Sequence, residues 1–342
     1  MAAGGAAPAG GAVLVVGPAW VGDMVMAQAV LRLLAARRPG VAIDVIAPPW
    51  SLPLVRRMPE VREAIALEVG HGEFGLGARW RLARRLRRRG YGQALLLPRS
   101  FKAALVPWLA GIPRRTGHLG EARRGLVNDV RPDPGRRRAP WVRRMAVLAL
   151  EPGEAVPEVL PQPRLAVDEA NRARLMTALG LAGEGPVLGL CPGAEYGPSK
   201  RWPARRYGAL AARMAARGWR VWVFGSARER PLGEEVVAAS GGAARNLCGR
   251  TRLEDVVDLM SACERVVTND SGLMHVAAAT GTALTVIYGA SSPDYTPPLT
   301  PRARIVRRAL ACAPCFRRVC PLGHTACLEG IEVEEVERTC TP

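Results

Sequence analysis

Short apolar runs separated by longer amphipathic stretches organise this chain. In the first half, Val13–Val16, Val41–Ile46 and Gln93–Leu97 read as strands. Residues 24–38 carry Met24, Ala27, Val30, Leu31 and Leu34 at helical spacing, and an arginine-rich helix is predicted over about 76–89. The second half predicts strands at 187–191, 220–224, near Asn246, at 265–268 and at 284–288. Helices are expected over 203–217, ended by Gly218, then over 229–240 and 253–262, with another opening at Gly272. Strands that alternate with helices imply βαβ units and parallel sheets. The proline-rich stretch Glu151–Pro163, EPGEAVPEVLPQP, reads as a linker. The expected fold class is therefore α/β: two Rossmann-like, doubly wound domains facing a central cleft, over residues 12–165 and 166–328. Residues 1–11, rich in Gly and Ala, read as a disordered leader. Residues 329–342 form a short C-terminal segment with room for barely one amphipathic helix.

Composition narrows the class. A chain of 342 residues with 49% hydrophobic content can bury two cores. Its longest apolar stretches, such as 103–112, fall short of the roughly 20 residues that span a bilayer. The leader has no basic segment of the kind that opens a signal peptide, so a cytoplasmic protein is expected. The net charge of +18 favours anionic partners: phosphorylated substrates, an anionic membrane surface or nucleic acid. The arginine excess also fits a chain biased toward Arg, Ala and Gly. Only two lysines occur, Lys102 and Lys200, both in loop-like stretches after apolar runs. A compact ammonium kept among so many arginines hints at a specific need.

Eight cysteines occur. Cys191, Cys248 and Cys263 lie in or beside apolar runs and read as buried thiols. Cys312, Cys315, Cys320 and Cys327 cluster, with His324 among them. Their spacing admits a structural zinc, but the second half lacks a tight ligand pair, so reduced structural cysteines are the preferred reading and no catalytic metal is expected.

In open α/β sheets, ligands bind beyond the carboxyl ends of the strands. Four such loops stand out. Gly17-Pro-Ala-Trp-Val-Gly-Asp23 is neither a dinucleotide fingerprint nor a P-loop. Its Asp23 reads as a helix N-cap or as a general base, and on spacing alone the cap reading leads. Cys191–Pro203, CPGAEYGPSKRWP, offers Lys200 to a phosphate, although a solvated lysine is the commoner fate. Phe224-Gly-Ser226 is a glycine turn. Thr268–Gly281, TNDSGLMHVAAATG, packs Asn269, Asp270, Ser271, Gly272 and His275 into seven residues where a strand meets a helix. The free amides and positive dipole end of that helix suit an anion. Capping by Asn269 or Asp270, and a core role for His275, are the plainer readings. Together these groups suit a diphosphate whose charge is neutralised by the protein itself.

GPAWVGDMVMAQ, LPRSFKAALVPWLAGIPRRTG, LVNDVR, CPGAEYGPSKRWP, VFGSARE, TNDSGLMHVAAA and YGASSPDYTPPL, in this order over about residues 13–300, resemble the ADP-heptose:lipopolysaccharide heptosyltransferases, and within them the heptosyltransferase II group. The resemblance implies a GT-B fold with acceptor binding in the N-terminal domain and the nucleotide sugar in the C-terminal one. It implies inverting, metal-independent transfer of L-glycero-D-manno-heptose from ADP-L-glycero-D-manno-heptose to the first heptose of the lipopolysaccharide inner core, with no cofactor. It places the catalytic aspartate on Asp23 and the phosphate-binding lysine on Lys200. On the donor side it implies Gly193, Ser199, Gly225, Ser226, Asn269, Asp270, Ser271, Gly272, Met274 and His275. On the acceptor side it implies Ser100, Lys102 and Arg115. Arg99, Arg114 and Arg115 would face anionic core sugars and the membrane surface, which implies a cytoplasmic enzyme peripheral at the inner membrane and no nucleic-acid partner. The CPLGH-containing cysteine segment is shared by only some relatives.

Three alternatives stay open. One is a sister enzyme, heptosyltransferase I or III or another nucleotide-sugar transferase. A second is an oxidoreductase, disfavoured by the missing GxGxxG. The third is a non-catalytic basic membrane- or nucleic-acid-binding protein, which explains the charge but not the polar strand-end loops.

Overall fold

The computed structural model describes residues 11–70, 72–135 and 139–340. The leader expected over 1–11 lies outside them, except for Gly11. The chain forms two compact units that divide between Pro163 and Arg164.

Unit 1 holds strands β1 (Val13–Val16), β2 (Ile43–Ala47), β3 (Val61–Ala66), β4 (Gln93–Leu96), β5 (Arg114–Gly117) and β6 (Asp129–Val130). They form one parallel sheet in the order β3-β2-β1-β4-β5-β6. Helices α1 (Val21–Arg37), α2 (Leu52–Val55), α3 (Leu76–Arg87), α4 (Phe101–Leu109) and α5 (Trp141–Ala146) accompany it. β1, β2 and β4 are buried at every position, as expected of strands covered on both faces. α1 buries ten residues, including Val25, Met26 and Ala29 outside the stripe read from the sequence. It packs on α5 as well as on the sheet, so its apolar surface runs most of the way round. The apolar stretch 103–112 is largely α4, which continues through Pro107.

Unit 2 repeats the plan. Strands β7 (Val187–Cys191), β8 (Arg220–Val223), β9 (Ala244–Asn246), β10 (Arg265–Asn269), β11 (Ala283–Tyr288) and β12 (Ala303–Arg307) pair in parallel in the order β12-β11-β10-β7-β8-β9. Its helices are α6 (Glu169–Ala178), α7 (Ala204–Ala216), α8 (Arg230–Ala239), α9 (Leu253–Met260), α10 (Gly272–Ala279), α11 (Ala326–Glu329) and α12 (Val333–Cys340). Counted from its own first strand, each sheet runs 3-2-1-4-5-6, the doubly wound order. Each unit therefore has one switch point where strand order reverses: between β1 and β4 in unit 1, and between β7 and β10 in unit 2.

The C-terminal segment is the single amphipathic helix α12. Val333, Val336 and Cys340 enter the core of unit 2 beside Tyr207, Leu210 and Met214 of α7. On the same buried face Glu337 pairs with Arg213 (3.0 Å) and Arg217 (2.7 Å) of the α7 end.

Candidate active site

In unit 2 the loops after β7 and β10 flank the switch point. Asn269, the last residue of β10, is fully buried. Its Oδ1 accepts from the Trp202 amide (3.0 Å) and the Tyr207 hydroxyl (3.1 Å), and its Nδ2 donates to the Pro192 carbonyl (2.7 Å). Asn269 thus fixes the loop after β7 to the end of β10, and its polar atoms face protein groups.

That brace brings Lys200 to Asp270. The ammonium donates to Oδ2 at 2.6 Å, with the two side chains 15% and 4% exposed. The solvated-lysine reading is therefore set aside. Thr296 Oγ1 lies 3.2 Å from Asp270 Oδ1, and the Tyr196 ring centroid lies 4.9 Å from Lys200 Nζ. Ser271 occupies the N-cap of α10 in extended conformation and makes no side-chain capping bond. Neither Asn269 nor Asp270 is the cap. The first amides of α10 lie just past the buried ion pair. His275, one turn in, is buried, and its pKa falls to about 4 because burial disfavours the cation and Lys200 adds repulsion, against an opposing pull from Asp270. Its imidazole is neutral at pH 7. Met274 is core, where its sulfur accepts from the Tyr288 hydroxyl at 3.6 Å.

Gly193 and Gly225 have a specific cause. A Cβ at Gly193 would overlap the Glu229 carboxylate, and one at Gly225 would press on Cys248 Sγ and the same carboxylate. Glu229 Oε2 accepts from the Ser226 amide (2.8 Å) and hydroxyl (2.9 Å). A carboxylate is thereby held at the carboxyl end of β8, next to both glycines. Sequence reasoning placed Glu229 only as a helix start. The signal was its position after the unit's second strand, where doubly wound folds carry a ribose-binding acid.

The cysteine-bearing segment docks on the Lys200 loop through its main chain. The Tyr196 hydroxyl donates to the Phe316 carbonyl at 2.7 Å, Ser199 Oγ donates to the Arg317 carbonyl, and the Ser199 amide donates to the Arg318 carbonyl at 3.3 Å. Gly197, at φ 153°, lies so close that a Cβ would overlap the Arg318 carbonyl. Among the described residues no three of His, Cys, Asp or Glu stand where they would hold a metal ion. The Cys327 thiol is pushed up by burial and by the nearby Cys312, Cys315 and Cys320, and the segment as a whole is anchored through backbone bonds.

In unit 1 the loops after β1 and β4 flank the switch point. Asp23 is half-buried in the first turn of α1. Trp20 holds the N-cap position, so Asp23 is not the cap, although its charge suits that helix end. Trp50 Nε1 donates to the Ala19 carbonyl (2.9 Å) and steadies this loop. Ser100 is the N-cap residue of α4 without a side-chain capping bond, and Glu121 takes that place by accepting from the Phe101 amide at 2.6 Å. Lys102 follows in the first turn, with Nζ 3.4 Å from the Glu73 carbonyl.

Arg115 stands apart. It lies near the amino end of β5, opposite Ala94, whereas Ser100 and Lys102 follow the carboxyl end of β4. Its guanidinium donates to the carbonyls of Ile112 (2.6 Å) and Leu126 (2.7 Å) and braces that loop. Arg114 pairs with Asp129 (2.8 Å) and Glu151 (2.7 Å), and Arg99 with Asp133 (2.8 Å). A residue the sequence reading missed is Arg123, fully buried beneath the Ser100 loop. It donates to the carbonyls of His118 (3.0 Å) and Pro98 (2.6 Å), and burial lowers its pKa to about 10. In a run as basic as EARRGLVNDVR nothing marks which arginine turns inward.

The profile of glycosyltransferase family 9 (heptosyltransferase) matches residues 79–326. The chain is 47% identical over 304 residues to lipopolysaccharide heptosyltransferase 2 of Escherichia coli K12, covering 86% of this chain and 87% of the relative. It is 44% identical to lipooligosaccharide heptosyltransferase 2 of Haemophilus influenzae, over 86% and 88% of the two chains. The solved E. coli ADP-heptose lps heptosyltransferase II superposes with a TM-score of 0.86 at 43% identity, over 96% and 97% of the two chains. Two units of 3-2-1-4-5-6 order, with their polar residues gathered at the switch points, are thus matched over nearly the whole chain, and this protein belongs to glycosyltransferase family 9, the heptosyltransferases.

Proposed function

We propose that this glycosyltransferase acts in lipopolysaccharide core biosynthesis, moving L-glycero-D-manno-heptose from ADP-heptose to the first heptose of the inner core. The observation that carries this reading is the Lys200–Asp270 pair lying just before the open N-terminus of α10 (2.6 Å). A diphosphate seated on the amides of Ser271 and Gly272 gains Lys200 as its counter-charge, while Asp270 is left to accept from sugar hydroxyls. Gly193 and Gly225 let the nucleotide approach the main chain. Glu229 accepts from its ribose. Asn269 and Ser199 position the loop, and neutral His275 packs beneath it.

The chemistry is a single displacement. The acceptor oxygen attacks the anomeric carbon, the bond to the diphosphate breaks, and the electron pair leaves with ADP. Asp23 takes the acceptor proton, with Ser100 and Lys102 orienting the acceptor. One displacement inverts the anomeric centre. Because Lys200 and the helix amides supply positive charge at the leaving group, the step proceeds without a metal ion. An acceptor carried on a lipid agrees with a protein of net charge +18 that works at the inner-membrane surface from the cytoplasmic side. No helix among the described residues is long and apolar enough to cross a membrane.

The test is ADP release from ADP-heptose with and without a heptosyl-Kdo2-lipid A acceptor, in EDTA, alongside Asp23→Ala. Acceptor-dependent release that survives EDTA and drops ~10²–10⁴-fold in the variant is expected. ADP binding without acceptor-dependent release would move the assignment to a sister enzyme such as heptosyltransferase I or III.

A further inference from the structure

α3 is densely basic. Residues 76–89 hold seven arginines in 14 positions and no Asp or Glu. The helix buries Arg79, Leu82, Ala83 and Leu86, at i, i+3, i+4 and i+7. Its opposite face therefore carries Trp80, Arg81, Arg84, Arg85 and Arg88 within one arc. The other three arginines are tied down. Arg79 donates to the carbonyls of Phe74 (2.7 Å) and Lys102 (3.0 Å), Arg87 to that of Leu109 (2.8 Å), and Arg89 to Glu63 (3.0 Å). Arg81, Arg84, Arg85 and Arg88 instead line one open groove of about 350 Å³ and have no carboxylate partner among the described residues. Trp80 is 48% exposed, and the Arg84 guanidinium lies 4.7 Å from its ring centroid. Phe74 and Leu76, at the start of the helix, are exposed as well.

Such a face is unfavourable in isolation. Arg81 with Arg85 and Arg84 with Arg88 are like charges at i,i+4, which destabilise a helix. Soluble surfaces normally intersperse both signs. Uncompensated guanidiniums beside Trp, Phe and Leu are instead the composition of a helix that lies in a lipid headgroup layer. Guanidinium forks match phosphate oxygens, and an aromatic ring settles between headgroup and acyl chain. We propose that α3 docks unit 1 on an anionic lipid bilayer, its four unpaired arginines on headgroup phosphates and Trp80, Leu76 and Phe74 at the acyl boundary. Nucleic acid shares the phosphates, but the aliphatic Leu76 gains nothing on a phosphate backbone. From the buried side of α3, the Arg79 bond to the Lys102 carbonyl ties the helix to α4. The inference rests on the membrane partner proposed above, and not on the identity of donor or acceptor.

The experiment is co-sedimentation of the full chain with phosphatidylcholine vesicles, with and without phosphatidylglycerol, at several salt concentrations. Binding to the anionic vesicles alone, weakened by salt, is expected. Joint replacement of Arg81, Arg84, Arg85 and Arg88 by Gln should cut partitioning by ~10²-fold or more, since each basic residue at such a surface contributes about fivefold. Joint replacement by Lys should retain most of it. A circular-dichroism spectrum and a urea-unfolding midpoint for the Gln variant that match the parent's verify its fold. Slowed hydrogen exchange of residues 76–89 on adding vesicles gives the same answer without any substitution. A parent protein indifferent to phosphatidylglycerol overturns the proposal. So does a Gln variant that partitions like the parent, or tighter binding to duplex DNA than to anionic vesicles at equal salt. None of these outcomes touches heptose transfer, which ADP release with a water-soluble acceptor reads separately.

Discussion

Lys200→Met should destabilise unit 2 and Asp270→Asn should rescue it. At 2.6 Å the pair's gross attraction is about 6 kcal/mol at an effective dielectric of ~20. Desolvation of both ions offsets much of that. Removing the ammonium alone leaves a carboxylate that is 4% exposed with only the Thr296 hydroxyl for support among the described residues. Breaking a fully buried pair from one side costs about 3–5 kcal/mol. Lys200 keeps 15% exposure, so the expected loss is smaller, about 2–4 kcal/mol. The double variant buries no lone charge and should recover at least half of it. Urea unfolding followed by tryptophan emission measures all four corners of the cycle, with Trp202, Trp219 and Trp222 reporting on unit 2. Single losses that add in the double variant would refute the argument, because additivity means the two groups do not interact.

Three further expectations concern stability and shape. Gly193→Ala should lower both stability and ADP affinity, because its Cβ overlaps the Glu229 carboxylate, and Glu229→Ala in the same chain should restore the stability but not the affinity; calorimetry reads both. His275 has a folded pKa of about 4 against an ordinary value of 6.5, so its neutral form is favoured in the fold. The stability it contributes is complete above pH 6.5 and is lost as pH falls toward 4, up to ~3 kcal/mol in all, and His275→Gln should flatten that part of the profile in urea titrations. Gly197→Ala should release the 310–325 segment from the Lys200 loop; trypsin should then cut after Arg317 or Arg318 faster than in the parent, and equal rates would remove the glycine from the docking argument.

The inner strands were legible because burial on both faces writes an uninterrupted apolar run, as in Val13–Val16 and Val187–Cys191. The edge strands β3 and β12 were not, although β9 at the far edge of unit 2 was placed near Asn246. Charges interrupt the apolar residues of β3 and β12, and β5, inside its sheet, opens on two arginines, so none of the three shows the run that marks a covered strand. α4 hid behind its internal Pro107, and α6 behind a polar sequence with one buried residue, Leu175. In the site, Asp270, Lys200, Ser271 and Gly272 could be picked out singly from strand-end position. That Asn269 is a brace, that Lys200 meets Asp270 seventy residues away, and that Arg115 belongs to the opposite end of the sheet are facts of tertiary pairing. Periodicity carries no record of them.

The way residues 316–318 attach to the Lys200 loop has a consequence for how this region can vary. Tyr196 and Ser199 reach for carbonyl oxygens, which every amino acid supplies, and the one strict demand falls on the receiving side, at Gly197. The hydrogen bonds of the joint thus ask for a backbone shape and not for particular side chains, while the Phe316 ring against Tyr295 (6.2 Å) and the Arg318 guanidinium over the Tyr196 ring (5.4 Å) are the side-chain contacts that a substitution there would remove.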